Sequence, residues 1–203
     1  MKIICIGRNY ADHAKELNNA VPTEPVFFLK PDSAILRPRQ PFYIPDFSND
    51  VHHELELVVR INRLGKNVEE KFAHRYYDEV GLGIDFTARD IQSKCKEKGL
   101  PWEKAKAFDG SAPLGEFIKL TNHSEVNNMK LELKINGETR QLGTTADMIF
   151  SVDQIIAYIS QFITLKIGDL IFTGTPAGVG PVKENDLLEG YLNDQQLLKF
   201  RVK

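Results

Sequence analysis

An α+β fold, mostly β, is what the sequence predicts, and three segments predict it. Residues His53 to Ile61 alternate, with Leu55, Leu57, Val59 and Ile61 on one face and Glu54, Glu56, Val58 and Arg60 on the other, the period-two signature of a strand. Met129 to Ile135, then Asn136-Gly137, then Thr139 to Leu142 reads as a hairpin, because Asn-Gly accepts the positive φ angles of a tight turn. Ser151 and Gln154 form a capping box ahead of Ile155, Ile156, Ile159, Phe162 and Ile163, an apolar stripe at helical spacing and so mainly core.

The remaining elements follow in order. Residues 2 to 6 read as a buried strand, and Asn9 with Asp12 three positions later resembles the N-cap of a short helix running to about Leu17 and ended by Asn18 and Asn19. Pro22, Pro25, Pro31, Pro38, Pro41 and Pro45 break the next stretch into short extended pieces such as Val26 to Leu29, territory of loops and edge strands. Glu69 to Val80 is expected to be helical. Gly81 to Phe86 is expected to be a buried strand leading to Thr87, an N-cap with Asp90 at N3, for a helix that stops at Gly99 and Pro101. Leu170 to Thr173 reads as a strand entering the glycine-rich T-G-T-P-A-G-V-G-P segment, and Leu187 to Val202 as further strands. The 203 residues hold no repeat, low-complexity stretch or linker and are expected to form one domain.

Composition excludes several classes. With 42% hydrophobic and 27% charged residues the chain is ordinary globular material, not disordered or coiled coil. Its 26 basic and 28 acidic residues give 26 − 28 = −2, no general field for nucleic acid or anionic lipid. The longest apolar run, Ile155 to Ile159, is far below the roughly 20 residues a bilayer needs, and Ile3 to Ile6 is too short for a secretory signal, so a cytoplasmic protein is expected. Cys5 and Cys95, without C-x-x-C spacing, are expected as reduced, buried thiols.

Glu54 and Glu56 carry the most chemistry. Two carboxylates at i and i+2 project from one strand face, and a divalent cation relieves their repulsion; a solvated face of a half-buried sheet is the ordinary alternative. Oxygen donors select magnesium, manganese or calcium over zinc. Asp85, at a strand end before a helix, is a candidate third ligand or a structural acid at that helix start. His52 and His53, successive on a strand, face opposite ways and read as structural. Asp46, Asn49 and Asp50 lack the glycine and terminal glutamate of a calcium loop. His13 and Glu16, three apart on the first helix, suit a general base oriented by a carboxylate, or else an exposed surface pair. By composition Lys106 is one of a solvated basic group with Lys94, Lys96, Lys98 and Lys104. The glycine-rich segment offers backbone N–H groups to an anion but lacks a P-loop ending.

Taken together, G-R-N-Y-A-D-H-A-K-E-L, F-L-K-P, H-H-E-L-E-L, G-I-D-F-T-A-R-D-I-Q, P-W-E-K-A-K-A-F-D and F-T-G-T-P-A-G-V-G-P resemble the fumarylacetoacetate hydrolase family in order and spacing, over nearly the whole chain. The early N-Y-x-x-H-x-x-E is similar to its short acylpyruvase and oxaloacetate decarboxylase or tautomerase branch. The resemblance implies a mixed β-sandwich roll with peripheral helices, a homodimer, and a magnesium or manganese ion held by Glu54, Glu56 and Asp85. It implies a lid helix within about residues 8 to 20 carrying His13 and Glu16, an active-site lysine at Lys106, and a substrate site lined by Arg8, Lys30, Arg89, Gln92 and Thr175.

The activity so implied is C–C bond hydrolysis of acylpyruvates or decarboxylation of oxaloacetate, both leaving a pyruvate enolate that the metal stabilises. The rivals are an isomerase or tautomerase of similar dicarboxylates, a noncatalytic metal-binding module and, last, a basic-patch interaction protein around Lys94 to Lys106. The noncatalytic readings give no joint use for His13, Glu16 and Lys106.

Overall fold

The computed structural model describes residues 1–16, 20–37 and 40–203. In chain order its elements are β1 (Ile3–Gly7), α1 (Ala11–Glu16), β2 (Val26–Lys30), β3 (Ile35–Leu36), β4 (Val51–His53), β5 (Leu55–Ile61) and α2 (Glu70–Ala73). Next come β6 (Tyr77–Ile84), β7 (Thr87–Ala88), α3 (Arg89–Glu97), α4 (Glu103–Lys106), β8 (Ala112–Lys119), β9 (Lys130–Ile135) and β10 (Glu138–Thr144). The chain ends with α5 (Val152–Phe162), β11 (Leu170–Phe172), β12 (Gly180–Pro181), β13 (Leu187–Leu192) and β14 (Gln195–Arg201). The fold is α+β and mostly β, as expected.

A seven-stranded mixed sheet runs β2-β1-β11-β5-β6-β8-β3, with β1 parallel to β11 and β3 parallel to β8. A four-stranded sheet runs β10-β9-β13-β14 and a small three-stranded one β12-β4-β7. Both faces of the large sheet are covered. Leu55, Leu57, Val59 and Ile61 join the main core with α5 and the four-stranded sheet, while Val58 packs with Ile3, Cys5, Leu170 and Phe172 on the other side. The alternation in His53 to Ile61 is therefore real, but its polar face is buried at Glu54, Glu56 and Val58 and meets solvent only at Arg60.

Several expectations hold. The β9–β10 turn places Asn136 and Gly137 at φ 54° and 84°, β2 is an edge strand, and Ser151 caps α5 reciprocally with Gln154. Gly99, at φ 62°, ends α3, where the Leu100 amide reaches back to the Cys95 carbonyl. Both cysteines are free and buried.

Others need correction. Glu69 to Val80 is not one helix: α2 stops at Ala73, His74–Tyr76 form a 3-10 turn, and Tyr77 already opens β6, because Val80, Leu82 and Ile84 pack in the core at strand spacing, with Tyr77 joining them across a bulge. Asn9 is not a helix cap. Its amide donates to the carbonyls of Phe150 and Thr173 and accepts from the Phe150 amide, tying β1 to β11 and to the approach to α5. Thr87 is a strand residue, and Ala88 takes the cap position without a side-chain bond. The expected end of the first helix at Leu17, Asn18 and Asn19 lies outside the described residues, as does Pro38.

Candidate active site

The acidic residues meet where one strand pair changes sheets. β5 pairs with β6 through Leu55 opposite Ile84 in the large sheet, and β4 pairs with β7 through His52 opposite Thr87 in the small one. Glu54 and Asp85 fall between, in the same register, with the Asp85 amide donating to the Glu54 carbonyl at 2.8 Å. Glu56 follows two residues later on β5. Carboxylate oxygens of Glu54, Glu56 and Asp85 lie within 4.8 Å of one another, and Glu54 and Glu56 are only 5% and 1% exposed. The solvated-face alternative for the two glutamates is excluded.

Cations hold this charge in place. Lys106, on α4, is 3% exposed rather than part of a solvated group. Its Nζ donates to Glu54 Oε2 at 2.8 Å, Asp85 Oδ2 at 2.7 Å and Thr87 Oγ1 at 2.6 Å. Arg89, the first residue of α3, reaches Glu54 Oε1 at 2.5 Å and Gln92 Oε1 at 2.7 Å. Burial alone would raise the Glu54 carboxyl, but Lys106 and Arg89 outweigh it and hold the group well below the usual range. Glu56 goes the other way: burial, then the charges of Asp85 and Glu54, push it well up, against one bond from the Gly174 amide at 2.7 Å. Burial opposes the Lys106 charge, yet Asp85 and Glu54 drive its ammonium above the usual lysine range. Neighbouring carboxylates with opposite shifts are a recurring feature of acid–base sites.

The glycine-rich segment closes the site from the β11 end. Thr173 and Thr175 hydroxyls donate to the Leu57 and Leu55 carbonyls, carrying strand pairing past the end of β11. Gly174 takes φ 98°, and a Cβ there would sit 2.7 Å from Asn9 Cβ, so the close approach that delivers its amide to Glu56 requires glycine. Gly178, at φ 96°, is similarly confined by the Arg140 carbonyl, and its amide donates to Glu16 Oε1 at 3.1 Å. Glu16 also meets His13 Nδ1 at 3.3 Å. His13 is buried, so the exposed-pair alternative does not describe it. With Nδ1 committed to the carboxylate, Nε2 is the ring nitrogen left for chemistry.

The cleft joining these groups has a free volume of about 30 Å³ and is lined by His13, Glu54, Glu56, Asp85 and Lys106. Of the expected substrate-site residues, Arg8, Arg89, Gln92 and Thr175 also line it. Arg8 adopts φ 61°, a left-handed conformation costing a non-glycine residue on the order of 1–3 kcal/mol and typical of functional sites. Thr175 contributes little free polarity, since its hydroxyl is shared between the Leu55 carbonyl and the Gln141 amide. Lys30 is not at the surface of the cleft. Its buried Nζ sits behind Asp85, 2.8 Å from Oδ1, and donates to the carbonyls of Phe86, Lys106 and Ser111.

Sequence reasoning missed three residues. Lys96 and Trp102 line the cleft, and for Lys96 the signal was available as the helical spacing Arg89, Gln92, Lys96. Gln141, buried on β10, accepts from the Leu55 amide and His53 Nδ1 and donates to Thr175 Oγ1 and the Pro176 carbonyl, fastening both ends of the Glu54 segment to the glycine-rich loop. Nothing local in the sequence marks it. His52 and His53, bonded to Asp50 and Gln141, are structural as expected.

The donor set fits a divalent cation. It consists of oxygen alone, which suits a hard ion. Asp85 Oδ1 is buried without a hydrogen-bond partner, because the neighbouring Lys30 ammonium is close but turned toward the carbonyls. That leaves an Asp85 oxygen with no hydrogen bond beside two further buried carboxylates.

Fold and site together define a metal-dependent enzyme class, and the chain belongs to the fumarylacetoacetate hydrolase family: the family described as fumarylacetoacetate (FAA) hydrolase C-terminal matches residues 2–203. The protein named oxaloacetate tautomerase FAHD1, mitochondrial, from Bos taurus is 47% identical over 200 residues, 98% of this chain and 90% of the relative. Oxaloacetate decarboxylase, mitochondrial, from Dictyostelium discoideum is 46% identical over 189 residues, 93% of this chain and 87% of the relative. A solved structure of fumarylpyruvate hydrolase from Pseudomonas aeruginosa, in complex with Mn2+ and pyruvate, superposes with a TM-score of 0.94 at 35% identity, covering 100% of this chain and 89% of that one.

Proposed function

We propose that the protein is a divalent-metal-dependent oxaloacetate tautomerase, interconverting the enol and keto forms. This reading stands ahead of the acylpyruvate hydrolysis that headed the sequence-based expectations. The observation that carries it is buried His13, paired with Glu16 and opening on the same cleft as the three carboxylates. Tautomerisation needs one proton carrier and no water nucleophile, and His13 supplies that carrier beside the three carboxylates. The bovine relative's name supports the same choice.

Glu54, Glu56 and Asp85 would hold Mg2+ or Mn2+, and the Mn2+ in the Pseudomonas structure supports this choice. When bound, the ion supplies Lewis acidity to the oxygens of a chelated 2-oxo acid. His13, its Nδ1 proton directed to Glu16, carries a proton on Nε2 between the substrate oxygen and C3. Lys106 keeps a positive charge beside the developing negative charge. Arg8, Arg89 and Gln92 orient the substrate, and α1 acts as the lid, latched by Gly178 through Glu16. A homodimer in the cytoplasm completes the proposal, the location supported by two free thiols.

The test is the decay of enol oxaloacetate absorbance, with and without the Mg2+-loaded protein, with pyruvate measured separately. A protein-dependent decay that outpaces pyruvate release is expected. An unchanged decay alongside rapid cleavage of acetylpyruvate would overturn the reading. Oxaloacetate decarboxylation is the second reading, favoured by the Lys106 cation against the triad and by the Dictyostelium relative's name. It predicts pyruvate release as fast as enol loss.

A further inference from the structure

One side of α3 faces the cleft. Arg89, Gln92 and Lys96, at i, i+3 and i+7, share that face, and all three line the cavity. Two are already engaged: Arg89 is paired with Glu54, and Gln92 accepts from Arg89. Lys96 is different. Among the described residues no carboxylate or carbonyl holds its Nζ, which lies over the Trp102 ring, 5.7 Å from the centroid. Arg8 faces the same cleft and likewise has no acidic partner among the described residues. Partial desolvation, then Arg8 and Arg89, press the ammonium of this otherwise exposed lysine toward its neutral form with Glu54 opposing, so positive charge gathers at this end of the cleft.

A monocarboxylic 2-oxo acid chelated at the triad gives this charge nothing to bind. A dicarboxylic one has a second carboxylate, and Lys96, in the last turn of the α3 face that lines the cleft, is the cation left to meet it. We propose that Lys96 reads this second carboxylate and so selects dicarboxylic 2-oxo acids over monocarboxylic ones. The Trp102 ring, beneath the Lys96 ammonium, draws it toward the cleft and limits the freedom lost on binding. The inference rests on the oxaloacetate reading above and names the residue that sets its substrate class.

Trp102 is the single tryptophan, so its fluorescence reports on the cleft directly. Titrations of the Mn2+-loaded protein would compare oxaloacetate with pyruvate, the same 2-oxo acid without the second carboxylate, and calorimetry would check the constants. The wild type should bind oxaloacetate about tenfold more tightly or better, the scale of a charge-assisted hydrogen bond. Lys96→Met should lose that preference while binding pyruvate as before, and Lys96→Arg should recover most of it. An unchanged ratio in Lys96→Met, or an equal loss for both ligands, would overturn the inference. A wild type that discriminates between the ligands but does not speed enol decay would refute the tautomerase reading and leave the role of Lys96 standing.

Discussion

Glu54 and Asp85 are backbone partners: the amide of Asp85 donates to the carbonyl of Glu54 at 2.8 Å, at the step where two adjacent strands leave the seven-stranded sheet for the three-stranded one. Regular pairing on either side fixes both residues, so the distance between their carboxylates is set by the sheet and not by a loop. Glu56 is fixed by the same strand. A site built on paired backbone holds its geometry before any ligand arrives, which is the condition for strong electrostatic catalysis.

That rigidity makes Glu56 costly in the absence of metal. Its carboxyl is pushed up by burial and by Asp85 and Glu54, so its stabilising contribution is complete below the ordinary value of 4.5 and is lost as pH rises through the raised value. The metal-free protein should therefore lose stability toward neutral pH, and Mn2+ should restore it. Glu56→Gln should remove metal binding and raise the metal-free melting temperature at pH 8 by ~2–4 °C for each kcal/mol recovered. Calorimetric scans at pH 5 and pH 8, with and without Mn2+, check this. A metal-free Glu56→Gln protein less stable than wild type at pH 8 would count against it.

Lys106 balances the other two carboxylates. Lys106→Met leaves Glu54 and Asp85 buried without their shared cation and should destabilise the metal-free protein by about 3–5 kcal/mol, the scale of a broken buried pair. Saturating Mn2+ should recover part of that loss by supplying positive charge to the same oxygens. Thermal melts with and without the ion measure the recovery. A variant whose deficit is untouched by metal would show that Lys106 acts through packing.

Gln141 should prove as sensitive as the ligands. Gln141→Leu strips partners from the Leu55 amide, His53, Thr175 and the Pro176 carbonyl, and the segment bearing Glu54 loses its anchor to the loop. A loss of about 2–4 kcal/mol in stability is expected, with Mn2+ affinity weakened about tenfold or more, as for other residues that orient metal ligands. Titration calorimetry on folded protein decides, and unchanged affinity would limit Gln141 to a structural part.

What the sequence made legible follows from where each signal resides. The alternation of β5, the Asn-Gly turn and the Ser151–Gln154 box are local, and they survive in the fold because packing agrees with them. Glu69 to Val80 misleads because its charged first half satisfies helical preferences while Tyr77, Val80 and Leu82 answer to a sheet that forms at long range. Spacing alone put Glu54 and Glu56 on one face, but whether that face met water depended on Val58 packing against Cys5 and Phe172 from distant strands. Lys106 looked like one lysine among five for the same reason. Resemblance singled it out, and only the tertiary fold explains its burial. Gln141 had no local signature at all, since each of its partners is remote in the chain except as the sheets assemble them.

The last prediction separates the two reactions of oxaloacetate at His13. Tautomerisation moves a proton between the enol oxygen and C3, so its transition state needs a carrier beside the substrate. His13, directed by Glu16, is the group so placed. His13→Ala should slow enol decay by about 10²-fold or more, the usual scale for loss of a positioned acid–base group. Decarboxylation breaks a C–C bond and needs stabilised negative charge, which Glu54, Asp85 and Lys106 still provide for through the metal they hold and the cation they position. Protonation of the product can follow in water. Its rate should fall less, though not to zero effect, because α1 also covers the cleft and positions the substrate. Glu16→Gln keeps one acceptor oxygen, enough for His13 or for Gly178 but without the carboxylate's charge and second oxygen, so it should fall between the wild type and His13→Ala in enol decay. Both reactions should be followed on one Mg2+-saturated preparation, with circular dichroism confirming the fold. Equal losses in the two would assign His13 to closure of the lid and remove it from proton transfer.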